Sequence, residues 1–219
     1  MTSVEFVEKL KSVLNEKTLY VYGCLGSPLT DTTKASFCAR YPSNQKREDI
    51  IKSADSDTFG FDCSGLVKSV IWGWNGDKNS YLGGAKYCTN GLDDVNSLGL
   101  RNMCDGLSSD FSNIEIGEYL WIDGHCGVYI GDGKAIECTH RWSDGVQITE
   151  VWNISKTSSV GREWTYHGKL NIVDYNTDDS NNVVEVFVSS SYLNDEKISA
   201  IKTKLESENV KVRFFIERR

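Results

Sequence analysis

Apolar residues recur every three or four positions over 3–16, with Val4, Val7, Leu10 and Leu14 on one stripe and charged residues between them, which predicts an amphipathic helix. Residues 20–26 read as an extended, glycine-containing piece, followed by a loop through Pro28 and Pro42 and a short helix at 47–54. A second helical period covers 62–74, carried by Leu66, Val67, Val70, Ile71 and Trp74, with Asp62 at its start and the non-helical Phe59-Gly60-Phe61 run before it. Residues 75–113 are rich in Gly, Asn, Asp and Ser and predict loops with one short helix at 93–98.

From residue 114 the pattern turns to strands, at 119–122, 126–130, 135–139, 146–151 and 164–172, with Gly131-Asp132-Gly133 as a hairpin signal. Helices first and strands later predict an α+β domain over 1–173. The polar run 174–182 reads as a linker, and beyond it a strand at 183–189, a helix at 195–208 and a strand at 210–217 make a small β-α-β unit. A unit of that size is marginal alone. Its strands expose edges unless paired, so the expectation is docking on the larger domain or a homodimer through 183–219.

Composition changes this picture in three places. A hydrophobic share of 39% in 219 residues suffices for a real core. A net charge of −7, with no long Lys/Arg cluster, disfavours a nucleic-acid partner. No segment approaches the ~20 apolar residues of a membrane span, and no basic-then-apolar leader opens the chain, so an unexported protein is expected.

Seven cysteines, at 24, 38, 63, 88, 104, 126 and 138, are an odd number without any C-x-x-C spacing. A fully paired disulfide framework and the usual metal knuckles are excluded, and reduced thiols are expected. No metal or cofactor is called for. A reactive thiol needs a depressed pKa, which a helix N-terminus and a nearby imidazolium supply. Cys63 sits at such a helix start, and only three histidines, at 125, 140 and 167, exist to serve it.

The run Asp62-Cys63-Ser64-Gly65-Leu66-Val67 resembles the nucleophile motif of the NlpC-type cell-wall cysteine peptidases, a papain-like clan. Three further segments are similar to that family in the same chain order. Tyr20-Val21-Tyr22-Gly23 resembles its aromatic lead-in, Ile116-Gly117-Glu118-Tyr119-Leu120 its P-G-D-L strand, and Gly124-His125-Cys126-Gly127-Val128-Tyr129-Ile130-Gly131 its histidine strand. The resemblance implies a papain-like α+β fold with Cys63 as nucleophile, His125 as base, Tyr20 bordering the thiol, and Asp62 and Ser64 supporting it.

The family's third polar residue lies twelve positions after the histidine, which is Glu137 here, where many members have His. A three-residue Gly131–Gly133 loop would pair Ile130 with Lys134 and Gly127 with Glu137, making His125 and Glu137 diagonal neighbours on one face. Cys126 and Cys138 would then oppose each other on the other face as packed thiols. A two-residue turn would instead pair His125 with His140, the rival orienting residue. The family position favours Glu137.

The implied substrate is bacterial peptidoglycan, cut at the bond between γ-D-glutamate and a diamino acid of the stem peptide. The alternatives are an N-acetylmuramoyl-L-alanine amidase or another acyl hydrolase or transferase on the same scaffold. An unexported enzyme with a short C-terminal appendage resembles a phage endolysin, held in the host cytoplasm until lysis and then released to the wall. The 183–219 unit would then serve wall binding or dimerisation.

Overall fold

The structure is a computed structural model, and it describes residues 1–176, 183–189, 197, 199, 201, 203, 204 and 211–217. The chain divides into two compact units, Met1–Tyr175 and Asn176–Arg219. In the first unit, helix α1 (Ser3–Ser12) opens on Thr2, whose hydroxyl accepts from the Glu5 N–H while the Glu5 carboxylate accepts from the Thr2 N–H. This reciprocal cap satisfies two otherwise orphaned donors. The buried stripe of α1 is Ser3, Phe6, Val7 and Leu10, continued by Val13. Val4 and Leu14, expected on that stripe, are 44% and 36% exposed. Phe6 presents the largest apolar side chain of the segment, and burying it turns the inward face away from Val4.

Strands β1 (Thr18–Tyr20) and β2 (Leu25–Pro28) come next, then helices α2 (Asp31–Arg40), α3 (Pro42–Gln45) and α4 (Glu48–Ser53), and strand β3 (Phe59–Phe61). The α2 segment, expected as loop, carries a weak apolar pattern. It is held by the Thr30 cap and by packing Phe37 and Cys38 against Leu19, Val21, Leu29 and Ile51. β3 is the middle strand of a three-stranded sheet, parallel to β1 and antiparallel to β2. It delivers the chain directly into helix α5 (Cys63–Ile71).

Every residue of α5 is buried, and it packs against α1, β2 and the large sheet. A helix closed in on all sides is a central element. Burial of Leu66, Val67, Val70 and Ile71 contributes about 1.5–3 kcal/mol each, as an upper bound on the area argument. The short helix α6 (Ser97–Asn102) lies a few residues later than expected because the Asn96 side chain caps it, accepting from the Gly99 N–H at 2.8 Å.

Strands β4 (Cys104–Ser108), β5 (Tyr119–Ile122), β6 (His125–Gly131), β7 (Lys134–Thr139), β8 (Gly145–Val151), β9 (Gly161–Arg162) and β10 (Tyr166–Leu170) form one sheet in the order β4-β10-β5-β6-β7-β8-β9. Its pairs are antiparallel except β8 with β9. Neither β4 nor β9 was expected. Side chains alternate across the sheet. Cys126, Val128, Ile130, Ile136 and Cys138 join the α1/α5 core, while Leu120, Tyr129, Ala135, Val151 and Trp164 form a second cluster.

The β6/β7 hairpin reconciles two readings of its turn. Gly131 pairs with Lys134 across Asp132 and Gly133, both at positive φ (52° and 67°), so the tip is a two-residue turn. A register shift between Tyr129 and Gly131 then restores Tyr129 to Ala135 and Val128 to Ile136, which sets Gly127 opposite Glu137. The bulge absorbs the odd residue, so a two-residue turn coexists with the register that a three-residue loop would have produced.

In the second unit, strands β11 (Val183–Ser189) and β12 (Lys211–Glu217) pair in parallel, Val183 with Lys211 through Ser189 with Glu217. Lys197, Ser199, Ile201, Thr203 and Lys204 have helical backbone. The rest of the expected helix at 195–208, and most of the linker at 174–182, lie outside the described residues.

Candidate active site

Cys63 opens α5 with its side chain almost fully buried. The preceding Asp62 is extended (φ −101°, ψ −178°), and its Oδ1 accepts from the Gly65 N–H at 2.6 Å and the Ser64 hydroxyl at 3.0 Å. Its Oδ2 accepts from the Gly23 N–H at 2.8 Å. One carboxylate thus caps the helix and ties the β1–β2 turn to it. Burial, then the neighbouring Cys63 charge, pushes the Asp62 carboxyl up to about 6. Gly65 is required at its position, because a Cβ there would meet the Cys24 carbonyl oxygen at 2.2 Å.

Two cysteines and a histidine converge at this helix start. A hydrogen bond from the Cys126 thiol, opposed by burial, together with a hydrogen bond and charge from His125, holds the Cys63 thiol well below its usual range. The Cys126 thiol moves the other way, kept protonated by burial and by its bond to Cys63. Burial works against the His125 imidazolium, yet hydrogen bonds to Cys63 and Glu137 raise its pKa overall. The two opposite shifts favour moving the proton from the Cys63 thiol toward the His125 imidazole.

Behind the imidazole, His125 Nε2 lies 2.6 Å from Glu137 Oε2. That engagement leaves Nδ1 for the Cys63 side. The ring also stacks on Trp164, with centroids 5.8 Å apart and planes within 17°. Glu137, 1% exposed, is held by three donors besides the imidazole. Thr149 Oγ1 donates to Oε1 at 2.5 Å, and Arg162 grips both oxygens, Nε to Oε1 at 3.2 Å and Nη2 to Oε2 at 2.6 Å. Despite burial, His125 and Arg162 hold the carboxyl below its ordinary value. A forked arginine of this kind fixes carboxylate orientation as well as charge.

The structure therefore brings together Cys63, His125, Glu137, Asp62 and Ser64. Tyr20 lines the groove beside them, its ring under the Arg47 guanidinium at 5.7 Å, with burial and then the Cys63 charge raising its phenol. His140 does not reach His125. It is exposed and packs 5.2 Å from the Tyr20 ring. His167 is a separate buried pair with Glu118, its Nε2 bonded to the Asp110 carbonyl oxygen at 2.8 Å. Cys126 and Cys138 are both free, fully buried thiols on the α5 side of the sheet.

Sequence reasoning missed Arg162 and Thr149. Arg162 sits in a two-residue strand with no periodic pattern, so nothing local marks it. Thr149 could have been found once β8 was registered against β7, since Glu137 pairs with Gln147. The groove over Cys63, about 430 Å³, is lined by Tyr20, Tyr22, Tyr41, Asn96 and Ser97 among others. It presents the buried Cys63 thiol to the cleft. Such a cleft can take an acyl carbonyl next to the Cys63 sulfur, with Gly124, the residue before His125, in its wall.

No family model matches the chain, and no curated relative does. Among solved structures, it is similar to the P60 domain of an antigen from M. avium subspecies paratuberculosis, with 15% identity, 79% of this chain and 98% of that chain covered, and a TM-score of 0.45. It is also similar to the peptidoglycan hydrolase RipB from Mycobacterium tuberculosis, with 17% identity, 79% and 67% covered, and a TM-score of 0.39. NlpC1 from Trichomonas vaginalis matches at 14% identity, with 75% and 44% covered and a TM-score of 0.35.

Proposed function

We propose that this chain is a cysteine hydrolase of the NlpC type that cuts an amide bond in the stem peptide of bacterial peptidoglycan. The observation that carries the reading is Cys63 at the start of α5, lining a groove, with the His125–Glu137 pair acting on its thiol from behind. The four motif resemblances in chain order supply the substrate class.

In this reading the Cys63 thiolate attacks the amide carbonyl, forming a C–S bond and a tetrahedral oxyanion. The Cys63 N–H at the start of α5, which has no acceptor within the helix, stabilises that charge, while the Gly65 N–H is already taken by Asp62. The His125 imidazolium gives its proton to the departing amine as the C–N bond breaks, leaving a thioester. The now neutral imidazole takes a proton from water, whose oxygen attacks the thioester, and the thiolate is regenerated with release of the acid. Glu137, clamped by Arg162 and Thr149, holds the imidazole ring and its tautomer through both halves.

The bond assigned is γ-D-glutamyl to diamino acid. The role assigned is that of an endolysin, made in a host cytoplasm and acting on the wall after lysis, with 183–219 as a wall-binding or dimerising unit. Incubating purified cell wall with the full chain and with Cys63→Ala, then labelling new amino termini, tests the reaction. New diamino-acid amines in the first digest and none in the second are expected. Equal digests overturn the reading, and new L-alanine amines instead would make the enzyme an amidase.

A further inference from the structure

Beyond the reacting groups, a second cavity of about 380 Å³ adjoins the cleft over Cys63. The two share Gly23, Leu25, Tyr41 and Asp94 in their walls, so they are direct neighbours. The second cavity has a different chemistry from the first. It holds no thiol or imidazole, and its walls are dominated by Tyr41, Tyr81 and Tyr87, with Arg40 at its edge. Tyr81 is 64% exposed and Tyr87 54%, which is unusual for large aromatics standing together in a concavity.

These tyrosines are presented by a firmly anchored loop. Trp72 Nε1 donates to the Leu92 carbonyl at 2.8 Å, and Trp74 Nε1 to the Gly26 carbonyl at 3.0 Å. Asn90 donates to the Ile71 carbonyl at 2.6 Å, and the Lys86 N–H to that of Trp72. Tyr87 is further fixed, its hydroxyl donating to Asp94 Oδ2 at 2.8 Å and its ring 5.1 Å from that of Trp72. Asp94 in turn pairs with Lys68 of α5. The loop backbone and the Tyr87 ring are therefore preorganised, which lowers the ordering entropy that binding there costs.

Exposed tyrosine faces with polar rims suit a ligand having flat C–H faces and equatorial hydroxyl and amide groups, which describes an N-acetylated hexosamine ring. The volume lies at the small end of ligand sites, about 300–1,000 Å³, and suits one or two such rings rather than a long chain. Resting on the proposed peptidoglycan reaction, we propose that this tyrosine cavity is a carbohydrate subsite that seats the glycan from which the scissile stem peptide hangs. A sugar in this side cavity stands away from the sulfur. That requires intervening stem residues, each spanning ~3.3–3.6 Å, between sugar and scissile carbonyl, and it favours a bond inside the peptide over the sugar-proximal amide.

The experiment compares kcat/KM of the full chain on a disaccharide-linked stem peptide and on the same peptide without sugar, in wild type, Tyr81→Ala and Tyr81→Trp. The wild type should prefer the sugar-linked substrate by about three- to tenfold, as one or two aromatic contacts allow. Tyr81→Ala should bring that ratio close to one, and Tyr81→Trp should restore it. Equal rates on both substrates in the wild type, or a ratio unmoved by Tyr81→Ala, overturn the subsite while leaving the hydrolase reading intact. If neither substrate is cut, the hydrolase reading falls. The subsite is then decided by titrating the Cys63→Ala chain with an N-acetylglucosamine tetramer, where saturable binding lost in Tyr81→Ala supports it and absence of binding overturns it.

Discussion

Arg162 offers the sharpest test of how the relay is tuned. Its Nη2 and His125 Nε2 each lie 2.6 Å from the same Glu137 oxygen, so the two cationic nitrogens are at most 2.6 + 2.6 = 5.2 Å apart. At an effective dielectric near 20, two unit charges at about 5 Å repel by about 3 kcal/mol, or about two pKa units. Spreading of the guanidinium charge reduces this to roughly one to two units. Arg162 thus restrains the imidazolium even as it orients the carboxylate. Arg162→Met should therefore raise the upper limb of the kcat/KM pH profile by one to two units, because His125, already shifted above its ordinary value, loses a repelling neighbour.

The same substitution leaves a buried carboxylate half-compensated. That costs about 3–5 kcal/mol and lowers Tm by roughly 6–20 °C. Arg162→Lys keeps the charge without the fork, so its upper limb should stay near wild type while kcat falls. The assay is a steady-state pH series on a fluorogenic stem peptide, run well below each variant's Tm. An upper limb that stays put or moves down in Arg162→Met would refute the electrostatic part of the reasoning, whatever happens to stability.

Further expectations follow from the same geometry. Iodoacetamide should modify Cys63 at pH 6, with a midpoint far below the ordinary thiol value of about 8.5, read by peptide mapping; a midpoint at or above that value would deny the ion pair. Glu137→Gln should cut kcat/KM at least tenfold, on the scale of lost orienting partners, while His140→Ala stays within a few-fold of wild type. Were His140 the residue that orients the imidazole, those two results would be exchanged. Gly65→Ala should lower stability by about 1–3 kcal/mol and slow Cys63 alkylation, since its new Cβ drives against the Cys24 carbonyl. The Glu137 contribution to stability, from a carboxyl held below its ordinary value, should be present above about pH 4.5 and disappear only as pH falls through the lower folded value. Urea melts between pH 3 and 7 measure it against Glu137→Gln.

Much of this molecule is legible in local sequence. The 62–74 period, the Asp62 cap and the isolated thiol behind it define α5 and set Cys63 in its first turn, because a cap and an apolar stripe are short-range properties. The strands from β5 to β8 are equally readable from alternation and a glycine turn. The inward face of α1 was misjudged by the stripe through Val4 and Leu14, because which face is buried depends on what the helix meets. α2, β4 and β9 carry too little pattern to stand out, and they exist because neighbouring elements give them something to pack or pair with.

The partner of His125 lies at the boundary between the two kinds of information. The twelve-residue interval pointed to Glu137, yet the turn sequence alone admitted a pairing of His125 with His140. A register shift at residue 130 between β6 and β7 decided between them. Arg162 arrives from the far edge of the sheet through a two-residue parallel pairing, and Trp164 stacks from the next loop. The sequence by itself determined which thiol opens a helix and which imidazole begins a strand. Only the tertiary structure decided which carboxylate faces that imidazole, what clamps it, and which tyrosines wall the groove, because those neighbours are distant in the chain and meet only when the sheet and the long loop after α5 have packed.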